Sequence, residues 1–174
     1  MSEHAKPSGG VVVGVDGSAP ARAALEFAYR DAARRGAPLW VVAAYSPPEY
    51  TQIWLEAGVG VDEGDRGEVT AQVQRVAQEM ADGVRADLAG EPAPASVQVV
   101  AAAGMPARIL IELSADADLL VVGSRGHGAF RGLLLGSVAL HCAMHAHCPV
   151  MVVRPQRDRS ALPGARRESA MADR

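Results

Sequence analysis

Short apolar, β-branched runs alternate with segments of helical periodicity along this chain, and no other feature constrains its fold as tightly. The first run is Val11-Val12-Val13-Gly14-Val15. It shows no apolar–polar alternation, the pattern of a strand buried on both faces. Asp16-Gly17-Ser18 stops it, and Pro20 suits a first helical turn. Ala21, Ala24, Leu25, Ala28 and Ala32 then recur at helical spacing until Gly36. Small residues on that face let a helix lie close to a sheet.

The alternation continues with a second strand over 39–44. The stretch 46–67, with Pro47-Pro48, glycines and acids, reads as an irregular or partly helical connection. Val69, Val73, Val76, Met80, Val84 and Leu88 mark a long amphipathic helix. A strand over 96–102, a short helix over 106–115 and a strand over 119–122 follow. A glycine-rich loop leads to a helix over 137–146 and a last strand over 150–153. This order predicts right-handed βαβ crossovers and a single doubly wound α/β domain over 11–154, between tails 1–10 and 155–174. In such sheets ligands bind beyond the carboxyl ends of the strands.

Composition removes several function classes. Lys6 is the only lysine, which excludes a Walker-type P-loop and argues against a Schiff-base enzyme. Aromatic residues make up 4% and the net charge is −3, so no nucleic-acid partner is expected. No apolar run approaches the roughly 20 residues of a membrane span. The N-terminal ten residues lack an apolar signal-peptide core, and two cysteines are too few for a disulfide scaffold. The expectation is a cytoplasmic protein with reduced thiols and no membrane partner.

The strongest chemical signal runs from Gly123 to Ser137. Gly123, Gly126, Gly128, Gly132 and Gly136 place five glycines in fourteen residues between a strand and a helix. Glycines there let the backbone approach a ligand closely. The amides of Gly136, Ser137 and Val138 are expected to face out of a helix N-terminus, where the macrodipole favours anions. Ser137 either caps that helix or donates its hydroxyl to a phosphate. Arg125 and Arg131 flank the anion site, as phosphate partners or as solvated charges. His127 is read as a contact residue rather than a base.

The spacing Gly123-x2-Gly126-x9-Gly136-Ser137 resembles the ATP-binding signature of the universal stress protein family. The opening Val11-Val12-Val13-Gly14-Val15-Asp16-Gly17-Ser18, the Gly104-Met105-Pro106 turn and the closing His147-Cys148-Pro149-Val150-Met151-Val152-Val153-Arg154 resemble it too. The resemblance implies a five-stranded sheet of order 3-2-1-4-5 that binds ATP, with Mg²⁺, and pairs as a homodimer. It implies that Val15, Asp16, Gly17 and Ser18 lie at the adenosine, and Ala43 and Ala44 at the adenine. Gly104, Met105 and Pro106 would line base and ribose. Val122, Gly123, Ser124, Arg125, Gly126, His127, Gly128, Gly136, Ser137 and Val138 would hold ribose and phosphates. Nothing carries over to the insertion 46–67. Read from the residues alone, Asp16 accepts ligand hydrogen bonds or caps the following helix, which Ser18 can do equally well.

Other constellations are set aside. His141 and His145 stand at a chelating i,i+4 spacing, but Cys142 shares the Val138 face and is expected to pack as an apolar residue. Cys148 begins a strand beyond a turn, so neither a structural metal nor a Cys142–Cys148 disulfide is expected. Ser124, Ser137 and His127 lack a G-x-S-x-G elbow. The acids Asp62, Glu63, Asp65 and Glu68 lack an EF-hand pattern. The strand 150–153 ends the sheet order, and pairing across a two-fold axis would remove its exposed edge. The function expected is an ATP-binding regulatory module, in which nucleotide orders the glycine loop and alters a surface for a protein partner. Slow ATP hydrolysis in the same pocket, or binding of cyclic AMP, are the alternatives.

Overall fold

A computed structural model of the chain describes residues 7–46, 63–126 and 135–155. The sheet strands are β1 (Val11–Gly14), β2 (Pro38–Tyr45), β3 (Ser96–Ala103), β4 (Leu119–Gly123) and β5 (Val150–Val153). The helices are α1 (Ala19–Arg35), α2 (Glu63–Asp87), α3 (Pro106–Leu113) and α4 (Ser137–His145). All strand pairs are parallel, in the order β3-β2-β1-β4-β5. Val11 lies opposite Leu39 on one side and Leu119 on the other.

The strand period of two divides the core between the sheet faces. Val11, Val13, Leu39, Val41 and Val121 face α1 and α2, where Ala24, Leu25, Ala28 and Val84 pack on them. Val12, Trp40, Val42, Leu120 and Val122 face α3 and α4, against Leu110, Ala139 and Cys142. Burial on both faces explains why β1 has no polar positions.

Local chemistry sets the ends of α1. The Ser18 hydroxyl accepts from the Ala21 N–H at 3.3 Å, Pro20 sits in the first turn, and Gly36 closes the helix at φ 61°. Two ion pairs, Arg22–Asp87 and Arg30–Glu91, run from α1 to the end of α2 and the turn after it. On α1 itself Asp31 is buried and accepts from Arg34 at 2.8 Å and Arg35 at 2.6 Å.

Most departures from the sequence reading fall at element ends. β2 and β3 extend through Tyr45 and Ala103, while α3 stops at Leu113. α2 begins at Glu63 and so takes Gly64 and Gly67 into its first turns. The long helix overrides the local cost of two glycines, about 1 kcal/mol each relative to alanine.

The two sheet edges differ. The Gln74 side chain on α2 donates to the Val99 carbonyl at 2.6 Å and accepts from the Ala101 N–H at 2.7 Å. These groups lie on the side of β3 away from β2, so one glutamine amide occupies the middle of that edge. β5 pairs with β4 on one side, and no second strand pairs with it among the described residues.

Candidate functional site

The sheet order reverses at β1, whose neighbours β2 and β4 lead to opposite edges. Beyond the carboxyl ends of these strands is a cleft of about 270 Å³. Its floor is Gly14, Val15, Val42, Ala44 and Val122, with Leu110 and Pro106 of α3 on one side. Arg125, Gly126, Gly136, Ser137 and Val138 form a further wall, and Asp16 completes the lining. An adjoining hollow of about 230 Å³ shares Val15, Asp16 and Ala44 and extends to Gly17, Ala43, Tyr45 and Met80.

Asp16 is held in place by its own turn. Its Oδ1 accepts from the Ser18 N–H at 3.0 Å, and Gly17 takes φ 87°, a left-handed conformation that favours glycine. Ser18 rather than Asp16 caps α1, so the Asp16 carboxylate is not consumed as the helix cap. A Cβ at Gly126 would run into Asp16 Oδ2, so the backbone there lies directly against the carboxylate.

Two hydrogen bonds pin both stems of the glycine loop to the sheet. The Ser124 N–H donates to the Val153 carbonyl at 2.7 Å, and the Gly136 N–H to the Ser124 carbonyl at 2.8 Å. A Cβ at Gly136 would come within 3.4 Å of Arg125 Cα, so the two stems are in contact. This modifies the expected anion site: the Gly136 amide is already used, leaving those of Ser137 and Val138. Of the two readings of Ser137, the helix cap is absent. Gly136 is the N-cap, no side chain caps the helix, and Ser137 is its first residue. As in any helix the first amides of α4 have no intrahelical acceptor, and Ser137 and Val138, which carry two of them, line the cleft.

The cleft thus gathers Val15, Asp16, Ala44, Pro106, Val122, Gly123, Arg125, Gly126, Gly136, Ser137 and Val138 of the sequence-derived candidates. Gly17 and Ala43 fall in the adjoining hollow. Ser18 caps α1, and Ser124 is buried at the loop stem. Gly104 takes φ 150° and its N–H donates to the Tyr45 carbonyl at 2.8 Å. Met105 is the exposed N-cap of α3, outside the cleft lining. His127, Gly128, Arg131 and Gly132 lie outside the described residues, as does most of the insertion.

Sequence reading missed Gly14, Ala21, Val42, Leu110 and Ala139 in the lining. Gly14 carried a signal, being a lone glycine in an apolar strand, which marks close approach. A Cβ there would meet Leu110 Cδ1 at 2.7 Å.

The His141–Cys148 constellation divides between core and surface. Cys142 is fully buried, and burial, aided by the nearby Cys148, pushes its thiol up to about 11. His141 and His145 are exposed on the outer side of α4. Both cysteines are free.

A doubly wound parallel α/β domain with a cleft at its topological switch point, walled by a helix N-terminus, is the class that fold and site define. A model of the universal stress protein family matches residues 9–154. Universal stress protein Rv2623 of Mycobacterium tuberculosis is 37% identical over 152 residues, 84% of this chain and 48% of its own length. Universal stress protein UspA from Lactobacillus plantarum superposes with a TM-score of 0.62 at 20% identity, covering 87% of this chain and 100% of that one. A universal stress protein crystallised in complex with cAMP superposes with a TM-score of 0.54 at 28% identity, covering 86% of this chain and 98% of that one. The chain belongs to the universal stress protein family. It spans about half the length of the curated relatives it matches. Among the described residues, no helix is long and apolar enough to cross a membrane.

Proposed function

We propose that this domain binds an adenine nucleotide, ATP with Mg²⁺, in the cleft at the switch point. The observation that carries the reading is the convergence of Asp16, Gly126 and the uncapped N-terminus of α4 around one apolar-floored cleft. The base and ribose occupy the floor, with Asp16 as the acceptor for their hydroxyl or amino groups. The phosphates lie at the Ser137 and Val138 amides, where the helix dipole favours negative charge, with Arg125 at the rim. No lysine is needed, because backbone amides do the work of the missing side chain. Asp16 and Ser137 are hard oxygen donors that suit Mg²⁺, which is usually held by one or two carboxylates together with substrate phosphates.

The bound nucleotide acts as a regulatory ligand. It shifts the population of conformations at a partner surface. The domain works in the cytoplasm as a homodimer paired along β5, whose outer side pairs with no strand among the described residues. The relative solved with cAMP supports a second reading, in which a cyclic adenine nucleotide occupies the same floor.

The test is thermal unfolding with ATP, AMP or cAMP, with and without Mg²⁺, together with mass analysis of nucleotide released on denaturing fresh protein. A rise in the unfolding midpoint with ATP, larger than with cAMP, is expected. No shift with any nucleotide at millimolar concentration refutes the reading. Phosphate release, with Asp16→Ala as control, separates a binder from a hydrolase.

A further inference from the structure

Helix α4 ends in a pair of imidazoles that the nucleotide cleft does not use. His141 and His145 are both exposed, and their ring centroids lie 4.5 Å apart at an interplanar angle of 48°. We propose that His141 and His145 form a bidentate surface site for one divalent transition-metal ion of the nickel, copper or zinc type.

The helix supplies the spacing, because residues four apart stand one above the other on the same face. An ion about 2.1 Å from a ring nitrogen lies roughly 3.2 Å from the ring centroid. Two imidazoles bound at right angles, as about a square-planar nickel or copper ion, have centroids about 4.5 Å apart, and the two rings here stand at that separation. Imidazole nitrogen selects nickel, copper and zinc, whereas magnesium and calcium prefer oxygen ligands.

The surroundings set the character of the site. Cys142, between the two histidines in sequence, points into the core with no exposed surface, so it is not a ligand. Leu140 and Met144 on the same helix are exposed and apolar. Among the described residues no group of three or more His, Cys, Asp or Glu gathers to hold a metal. With His141 and His145 as its ligands among the described residues, the ion completes its coordination with water, which makes it exchangeable rather than structural.

His145 lies in the last turn of α4, where the macrodipole favours a cation. The amides of Ser137 and Val138 at the other end favour an anion. A metal bridging two successive turns binds only helical α4, so it stabilises the folded chain by mass action and fastens the helix that walls the cleft. The site needs no nucleotide, and its success or failure is independent of the nucleotide reading.

The test uses untagged protein and Ni²⁺ alone, with Mg²⁺ as control, read by thermal unfolding and titration calorimetry. Ni²⁺ at roughly a hundred times its dissociation constant is expected to raise the unfolding midpoint by about 5–10 °C, reversibly with a chelator. Mg²⁺ is expected to leave it unchanged. His141→Gln and His145→Gln should each weaken Ni²⁺ at least tenfold, while His147→Gln and Cys148→Ser retain it. The double variant His145→Gln/Ala143→His keeps the number of histidines but moves one to another helix face, and it should lose the chelate. These positions are exposed, apart from half-buried Cys148, and circular dichroism confirms that each variant folds. No Ni²⁺-dependent shift in the unmodified chain overturns the proposal, and so does binding that survives the relocated histidine.

Discussion

Gly126→Ala should separate binding from folding. The new Cβ would collide with Asp16 Oδ2, so the carboxylate must turn away. Turning it breaks the bond from the Ser18 N–H to Oδ1, which lies in an exposed turn. A typical net hydrogen bond contributes about 0.5–1.5 kcal/mol, and exposure places this one at the lower end. For a domain of this size that corresponds to a fall of roughly 1–4 °C in the unfolding midpoint. The ligand loses more. A hydrogen bond to a charged group is worth about 1.5–3 kcal/mol, so ATP affinity should fall roughly ten- to a hundredfold. Titration calorimetry of Gly126→Ala, Asp16→Ala and the double variant reads both effects. If the glycine acts through the carboxylate, the double variant binds no worse than Asp16→Ala alone. Unchanged affinity in Gly126→Ala, or fully additive losses, refutes the reasoning.

Three further outcomes follow from the packing. With its thiol near 11, Cys142 is only about one part in a thousand thiolate at pH 8, so alkylation of the folded protein should label Cys148 first, with Cys142 reacting on unfolding; equal labelling rates would contradict its burial. Burial alone would raise the Asp31 carboxyl, but hydrogen bonds from Arg34 and Arg35 and their charges hold it below the ordinary range. Because the folded value is depressed, the stabilisation is present at neutral pH and lost as pH falls through that value; Asp31→Asn should cost up to about 1 kcal/mol at pH 7 and progressively less below pH ~4 in urea unfolding. Gln74→Leu leaves the Ala101 N–H and the Val99 carbonyl without that partner, and should lower the unfolding midpoint by roughly 3–8 °C in calorimetry.

Much of the architecture is legible in the sequence because its signals are local. The valine run of β1 admits only a strand covered on both faces, and Ser18, Pro20 and Gly36 mark the ends of α1. The glycine–serine spacing likewise locates the cleft wall. What escaped depends on contacts between distant segments. Leu110 and Ala139 sit inside helical segments, and nothing nearby in sequence says that they line the cleft. Gly136, not Ser137, caps α4 because its amide is drawn to the Ser124 carbonyl across the loop. Gln74 looks like an ordinary polar residue in an amphipathic helix, and only the placement of α2 over β3 gives it a role. Glu63 starts α2 earlier than Gly64 and Gly67 suggest, because helix breakers are weak when a long apolar stripe follows.

The Gln74 amide also sets the valence of the sheet. A sheet with two open edges can add neighbours at both ends, and repeated addition builds a filament. Here Gln74 blocks the middle of one edge, while at the other no strand among the described residues pairs with the outer side of β5. A sheet of this kind can accept one strand-paired neighbour, and two copies joined open edge to open edge have nothing further to offer. With pairing along β5 as proposed, one side chain on a helix makes the assembly self-terminating.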